Sequence, residues 1–179
     1  MANEMLDYLM RQYGAQDWLE PEAPAADSEA PTRRVSPREL VRGMQPLRVQ
    51  ELEVPAEVAD VAGLSRELRN AQRSPLHVTD SVWTPDGEGE ENPRRLVHVR
   101  TFECDSPAAA RAQLLQVLAE VQGPAVERTD VAGDVAFAAP GNTFIAGVRG
   151  NLVFVLTNGG PELMDLSEVA RYLASAGSV

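Results

Sequence analysis

The stretch that decides the fold is residues 143–157, which read TFIAGVRGNLVFVLT. Two apolar runs rich in β-branched and aromatic residues flank Gly150-Asn151, and this arrangement predicts a β-hairpin with a tight turn. The runs are apolar at successive positions instead of alternating with polar residues, so both faces of the hairpin are predicted to be buried. A covering layer is therefore expected on each face: a helix predicted over 57–72, an N-terminal arm, or another subunit.

Further runs extend this hairpin into a sheet. Residues 47–54 predict at best an irregular strand, because their apolar positions do not keep one parity. Short connections make neighbouring strands antiparallel, so residues 45–179 are predicted to form an α+β domain, an antiparallel sheet of about five strands with two or three helices packed on it. The regular strands are predicted near 76–84, 95–103, 134–138, 143–149 and 151–157, and the helices over 57–72, 106–122 and 163–175.

An N-terminal helical arm and a linker precede this domain. Residues 3–13 predict a short amphipathic helix, with Asn3 as its N-cap and Gly14 just after its end. Residues 20–44 are interpreted as a linker that is first acidic and rich in Pro and Ala, and then basic. Over 32–48 five arginines stand against one glutamate. Such a basic island either binds an anionic partner or folds back on the acidic surface of its own chain.

Residues 1–19 are predicted to act as a docking segment. A helix of this length is not stable alone in water, so it must pack in an apolar groove. The sequence leaves open whether that groove belongs to a protein partner or to the chain's own domain. The side chains predicted to bind there are apolar or aromatic: Met5, Leu6, Leu9, Met10, Tyr13 and Trp18.

Composition argues against several functional classes. The formal net charge of −11 disfavours nucleic acid and anionic membranes as partners. No apolar run approaches the ~18 residues of a membrane helix, so no membrane insertion is expected. All sixteen basic residues are arginines, which excludes Schiff-base chemistry and a phosphate-loop lysine. No secretory signal is recognisable at the start and the chain has one thiol, so the expected compartment is the cytoplasm, with an exported protein whose signal has been removed as the alternative.

Few side chains are candidates for catalysis or metal binding. His77 and His98 are predicted on facing strands, with Asp80 on the opposite face, and are interpreted as ordinary strand residues. With two histidines and one cysteine in the chain, no metal and no cofactor are expected. If the chain is an enzyme, its carboxylate is expected to be Asp80, or Asp134 with Arg149.

The lone cysteine precedes a predicted helix. Cys104 lies just before Ser106-Pro107, where a helix N-terminus could lower the pKa of a thiol. A buried or half-buried free thiol is nevertheless the expectation, because free cysteines usually behave as small apolar residues.

The C-terminal part resembles a recurring bacterial pattern. Gly133-Asp134-Val135-Ala136 begins a strand, Arg149-Gly150-Asn151 precedes an apolar strand, and a helix follows. Over about 133–175 the chain is similar to small bacterial α+β domains of unknown function with this G-D-x-A and R-G-N pattern. The resemblance implies a binding or accessory module, and it carries over no catalytic residue.

Three function classes stay open at this point. The first is a non-enzymatic protein-interaction or accessory module that docks on a protein partner through its N-terminal helix and binds a second protein, or another copy of itself, through the sheet. The second is a small-molecule or carbohydrate-binding accessory domain that uses Trp83, Phe102 and Arg100 on one sheet face. The third is an enzyme of unidentified class.

Overall fold

The structure is a computed structural model, and it describes residues 2–19, 43–52, 77–88, 91–121 and 126–175. The helix predicted over 57–72 lies outside the described residues. The described helices are α1 (Ala2–Gln12), α2 (Ala15–Trp18), α3 (Pro107–Glu120) and α4 (Ser167–Ser175), with one 3-10 turn at Pro140–Asn142. The described strands are β1 (Met44–Leu52), β2 (His77–Pro85), β3 (Val97–Glu103), β4 (Glu127–Thr129), β5 (Val135–Ala138), β6 (Phe144–Arg149) and β7 (Leu152–Asn158).

These strands form one antiparallel sheet in the order β1-β2-β3-β7-β6-β5-β4. The chain builds it as two meanders, β1 to β3 and β4 to β7, which meet where β3 pairs with β7. α3 lies between the two meanders in the chain. The predicted α+β class is confirmed, and all five regular strands are present. The predicted count of about five is wrong, because the sheet has seven strands.

The two additional strands lie at the edges of the sheet. In β1 the register shifts between Pro46 and Arg48, so Leu47 has no partner and the alternation of side chains changes parity there. β4 is only three residues long, and its charged side chains are exposed. Neither strand therefore carries the apolar periodicity from which a regular strand is predicted, although β1 overlaps the irregular strand predicted over 47–54.

Helices cover both faces of the centre of the sheet. On one face, here called face A, α1, α2 and α3 pack on Phe137, Val148 and Val153. On the opposite face, face B, α4 packs on Ile145 and Phe154. β6 and β7 are almost entirely buried as a result, which confirms the predicted burial of both faces. The covering layers here are the chain's own helices. In the described part of the chain, no helix is both long and apolar enough to cross a membrane.

The N-terminal helices belong to the same core as the sheet. Gly14 takes a left-handed conformation at φ 60°, which ends α1 and turns the chain into α2. The rings of Tyr13 and Trp18 lie 5.5 and 5.9 Å from the ring of Phe137 on β5. The hydroxyl of Tyr13 donates to the carbonyl of Leu118 on α3 at 3.2 Å. Burial raises the pKa of Tyr13. The arm thus packs on the domain of its own chain.

The last helix begins at Ser167 and not at 163, as predicted. The Asn158 side chain accepts from the N–H of Met164 at 2.8 Å and donates to its carbonyl at 3.0 Å, which holds this stretch outside the helix. Asp165 then accepts from the N–H of Ser167 at 2.8 Å. Hydrogen bonds from the side chain and from the backbone of Ser167 lower the pKa of Asp165. Leu163, which the predicted helix would turn inward, is 70% exposed.

Candidate functional site

The register of β1, β2 and β3 gathers charged side chains on face A. Asp80 on β2 pairs directly with Arg100 on β3, while the next residue on this face, Val82, pairs with Arg48 on one side and His98 on the other. Because side chains that share a cross-strand row share a face, all four polar residues project to face A. Asp80, His98, Arg48 and Arg100 are called the Asp80 cluster below.

Asp80 is the centre of this cluster. Its Oδ1 lies 2.5 Å from Nε2 of His98, and its Oδ2 lies 3.9 Å from Nη2 of Arg48 and 3.8 Å from Nη2 of Arg100. The carboxylate side chain is only 8% exposed, whereas the arginines are about half exposed, at 52% and 46%. A buried carboxylate therefore holds two guanidinium groups at the surface.

The contact between Asp80 and His98 is close but poorly directed. Neither Oδ1 of Asp80 nor Nε2 of His98 has a hydrogen-bond partner of acceptable geometry, although the two atoms are adjacent. The two side chains are therefore in close contact without an aligned hydrogen bond. The cluster thus contains a carboxylate that is nine-tenths buried and incompletely satisfied, which is rare in folded proteins.

The described helices do not cover this part of face A. Among the described residues, α3 packs on β6, β7 and the adjoining β3, and no helix makes extensive contact with β1 or β2. Val82, at the centre of the cluster, is partly exposed, and Gln50 beside Asp80 is exposed. The described part of β1–β3 therefore offers a charged surface beside the helical layer.

The predicted placement of the histidines is wrong. His77 pairs with Glu103 and lies on face B, while His98 lies on face A beside Asp80. The prediction shifted the pairing of β2 with β3 by one residue, which moves every side chain of one strand to the other face. The signal that gives the correct register is the opposite charge of Asp80 and Arg100, which pair directly across the two strands.

The predicted aromatic binding face is not formed. Trp83 lies on face B, is 1% exposed and donates its Nε1–H to Ser81 at 2.8 Å. Phe102 and Arg100 lie on face A, where Phe102 packs against the core beneath α3. The same one-residue difference in register separates these side chains. Arg100 is the member of this predicted set that reaches the candidate site.

Asp134 and Arg149 form an ion pair at the turn between β6 and β7. The Asp134 carboxylate accepts from Nη1 of Arg149 at 2.9 Å and from the N–H of Gly150 at 2.8 Å, so it fastens the turn between β6 and β7. A cavity of about 440 Å³ opens beside this carboxylate, lined by Arg128, Thr129, Asp130, Gly133 and Asp134. Both oxygens of Asp134 are occupied by the turn, so the cavity holds no free carboxylate from this residue.

Four of the six predicted docking residues lie in or against the chain's own core. Leu9, Tyr13 and Trp18 are buried with α3 and β5, and Met10 packs against the same core from a partly exposed position. The side chains of Met5 and Leu6 lie outside the described part of the structure. Of the two grooves left open by the sequence, the one occupied here is on the chain's own domain.

Comparison with known proteins gives no further guide to the site. No protein-family model, no curated protein and no solved structure matches this chain.

Cys104 is a buried free thiol, as predicted. Burial, together with the neighbouring Asp105 and Glu103, raises the pKa of Cys104 to about 12. Its position before α3 therefore does not make it a reactive thiolate.

We expect the Cys104 thiol to resist a disulfide reagent at pH 8 in the native protein and to react at once in denaturant. The folded thiol keeps its proton up to about pH 12, whereas an unfolded thiol loses it near pH 8.5. Because the folded protein holds this proton more tightly than the unfolded chain, the protonated Cys104 thiol contributes to the free energy of unfolding. That contribution is complete below about pH 8.5 and is lost as the pH rises toward 12. Urea unfolding between pH 8 and 11 measures how steeply the free energy of unfolding falls with pH. The fall should be shallower in Cys104→Ala. Rapid labelling of native protein at pH 8 would contradict this burial.

Proposed function

We propose that this chain is a non-enzymatic interaction or accessory module that contacts its partner through the Asp80 cluster on face A. The observation that carries the proposal is the convergence of two half-exposed guanidinium groups on one buried carboxylate. An ion pair at a half-exposed position adds little to the stability of the folded protein. In a recognition surface the same arrangement increases affinity, because the carboxylate orients both arginines before the partner binds.

The composition of the cluster supports a recognition role. Arginine is enriched in protein interfaces, because its planar guanidinium offers several hydrogen-bond donors in a fixed geometry. The guanidinium is also weakly hydrated, so it can lie beside apolar side chains. Arg48 and Arg100 flank partly exposed Val82 in this way. The surrounding protein is strongly acidic, with a net charge of −11, so a locally positive cluster contrasts with the rest of the surface.

The N-terminal arm is a less favourable contact for a partner in this arrangement. Release of α1 and α2 would expose Leu9, Tyr13 and Trp18, which are at most 9% exposed. Each such side chain contributes about 1.5–3 kcal/mol when buried, so a partner would have to offset roughly 6 kcal/mol before gaining affinity. Docking of the arm on a partner stays a prediction, and the proposal places the main contact on face A.

The test compares matched arginine variants of the full chain. Arg48→Gln/Arg100→Gln removes both guanidinium groups of the cluster, and Arg94→Gln/Arg171→Gln removes two exposed ones elsewhere. We expect a protein that co-purifies with wild type from the source cells to be recovered about tenfold less with the first variant, which corresponds to ~1.4 kcal/mol. The second variant should recover it as wild type does.

The outcomes separate the alternatives. Thermal unfolding of both variants first establishes that each is folded. Equal recovery by all three proteins contradicts the proposal. Loss of self-association by light scattering in the cluster variant alone identifies the partner as a second copy, for which Leu47 and Val49 on β1 are also partly accessible. Loss of the captured protein from Tyr8→Ala, whose side chain is 60% exposed on α1, with full recovery by the cluster variant, assigns the contact to the arm.

A further inference from the structure

We infer that the Asp80 cluster binds a single oxyanion group, a carboxylate or a phosphate, between Arg48 and Arg100. The inference rests on the proposed function, since it names the chemistry that the partner presents to this surface. The spacing of the strands, the unused donors of the arginines and the charge of the cluster all favour such a group.

The spacing brings two guanidinium groups to one point. Arg48 and Arg100 lie on the strands that flank β2, which are roughly 9.6 Å apart, and they pair with Val82 and Asp80, which are roughly 6.6 Å apart along β2, so their backbones are separated by about 12 Å. Both Nη2 atoms nevertheless lie within 3.9 Å of the same oxygen, Oδ2 of Asp80. The side chains therefore lean toward each other over Asp80, and a group placed above Asp80 contacts both.

Both arginines retain hydrogen-bond donors. Contacts of 3.8 and 3.9 Å to Asp80 are ion pairs and are too long for hydrogen bonds. A guanidinium carries five N–H donors, and within the described residues no hydrogen bond is donated by Arg48 or Arg100. Carboxylates and phosphates accept from guanidinium forks in bidentate fashion, which gives them a geometric advantage over a spherical ion such as chloride.

Charge favours an anion of low charge. Two guanidinium groups and one carboxylate sum to +1 when His98 is neutral. A monoanion therefore neutralises the cluster, whereas a metal cation would meet two arginines for one carboxylate. Asp80 also reduces the repulsion between the arginines in the free protein, which keeps them in place until the anion binds. The chemistry is shared by a carboxylate and by a phosphate in its monoanionic form.

The test follows the arginine side chains by NMR. Uniformly ¹⁵N-labelled full-length protein is titrated with acetate and, separately, with inorganic phosphate, each against chloride at constant ionic strength. We expect saturable shifts of the Arg48 and Arg100 Nε–Hε signals, with half-saturation in the millimolar range. Arg100→Gln should weaken binding at least tenfold, and Arg94→Gln should leave it unchanged. If only one of the two anions causes the shifts, the bound group is identified as a carboxylate or as a phosphate.

Two results would overturn the inference. One is the absence of a saturable shift at Arg48 and Arg100 with either anion. The other is an equal response at Arg94 and Arg171, which indicates general screening of charge. If a captured partner still depends on Arg48 and Arg100 while neither anion binds, the inference fails and the proposed function stands. If both anions bind but capture is independent of these arginines, the proposed function fails.

Discussion

Replacement of Trp18 by alanine is expected to lower the free energy of unfolding by about 3–5 kcal/mol, the range for truncation of a buried Trp. Trp18 is 2% exposed, its ring lies 5.9 Å from that of Phe137, and its Nε1–H donates to the carbonyl of Tyr13 at 3.0 Å. Its own carbonyl accepts from Arg111 on α3 at 2.7 Å. The substitution leaves a cavity between the arm and the sheet, and urea denaturation measures the loss.

Tyr8→Ala is the matched control for the arm. Tyr8 lies on α1 but is 60% exposed, so its truncation should change the free energy of unfolding by less than about 0.5 kcal/mol. If Trp18→Ala is as mild as Tyr8→Ala, the arm is not part of the core, and the prediction that it docks elsewhere gains support.

Gly133→Ala is expected to lower the free energy of unfolding by about 2–5 kcal/mol. Gly133 has φ +75°, and a Cβ built there lies 2.6 Å from the carbonyl oxygen of Val148 on β6. That oxygen accepts from the N–H of Asp134 at 2.7 Å, so it has little freedom to move. A left-handed alanine alone costs roughly 1–2 kcal/mol, and the backbone clash adds an overpacking cost of about 1–3 kcal/mol.

Gly150→Ala separates these two costs. Gly150 also has positive φ, at +55°, but nothing lies within 4 Å of its Cβ position. This variant should therefore lose only the backbone cost of roughly 1–2 kcal/mol. Equal losses for the two variants, measured by denaturant unfolding, would mean that the close approach of Gly133 to β6 is not present in solution.

The centre of the fold is predictable because its residues carry strong local signals. β6 and β7 are apolar at nearly every position around a Gly150-Asn151 turn, and the structure buries both of their faces. α3 begins as predicted because Ser106 caps it, its side chain accepting from the N–H of Ala109 at 3.1 Å. The edges are less predictable, since β4 is exposed and polar and acquires its structure from pairing with β5.

The candidate site is not predictable from periodicity, because it depends on register. Val78, Asp80 and Val82 alternate equally well on either face of β2, and only the pairing with β3 decides which histidine accompanies Asp80. Arg48 is harder still to place, since it follows the register shift after Pro46 in β1. The members of the cluster come from three strands, and their proximity is a tertiary property.

The central claim is that the Asp80 cluster serves recognition and not stability. The most direct measurement is the free energy of unfolding of a variant in which the cluster is removed as a unit, with Asp80→Val, His98→Thr, Arg48→Thr and Arg100→Thr. Replacement of a whole ion cluster by residues that favour strands is often neutral or stabilising, because the desolvation cost disappears with the charges. The account predicts a change smaller than about 1 kcal/mol. A loss of several kcal/mol would contradict it, since the cluster would then be part of what holds β1, β2 and β3 together.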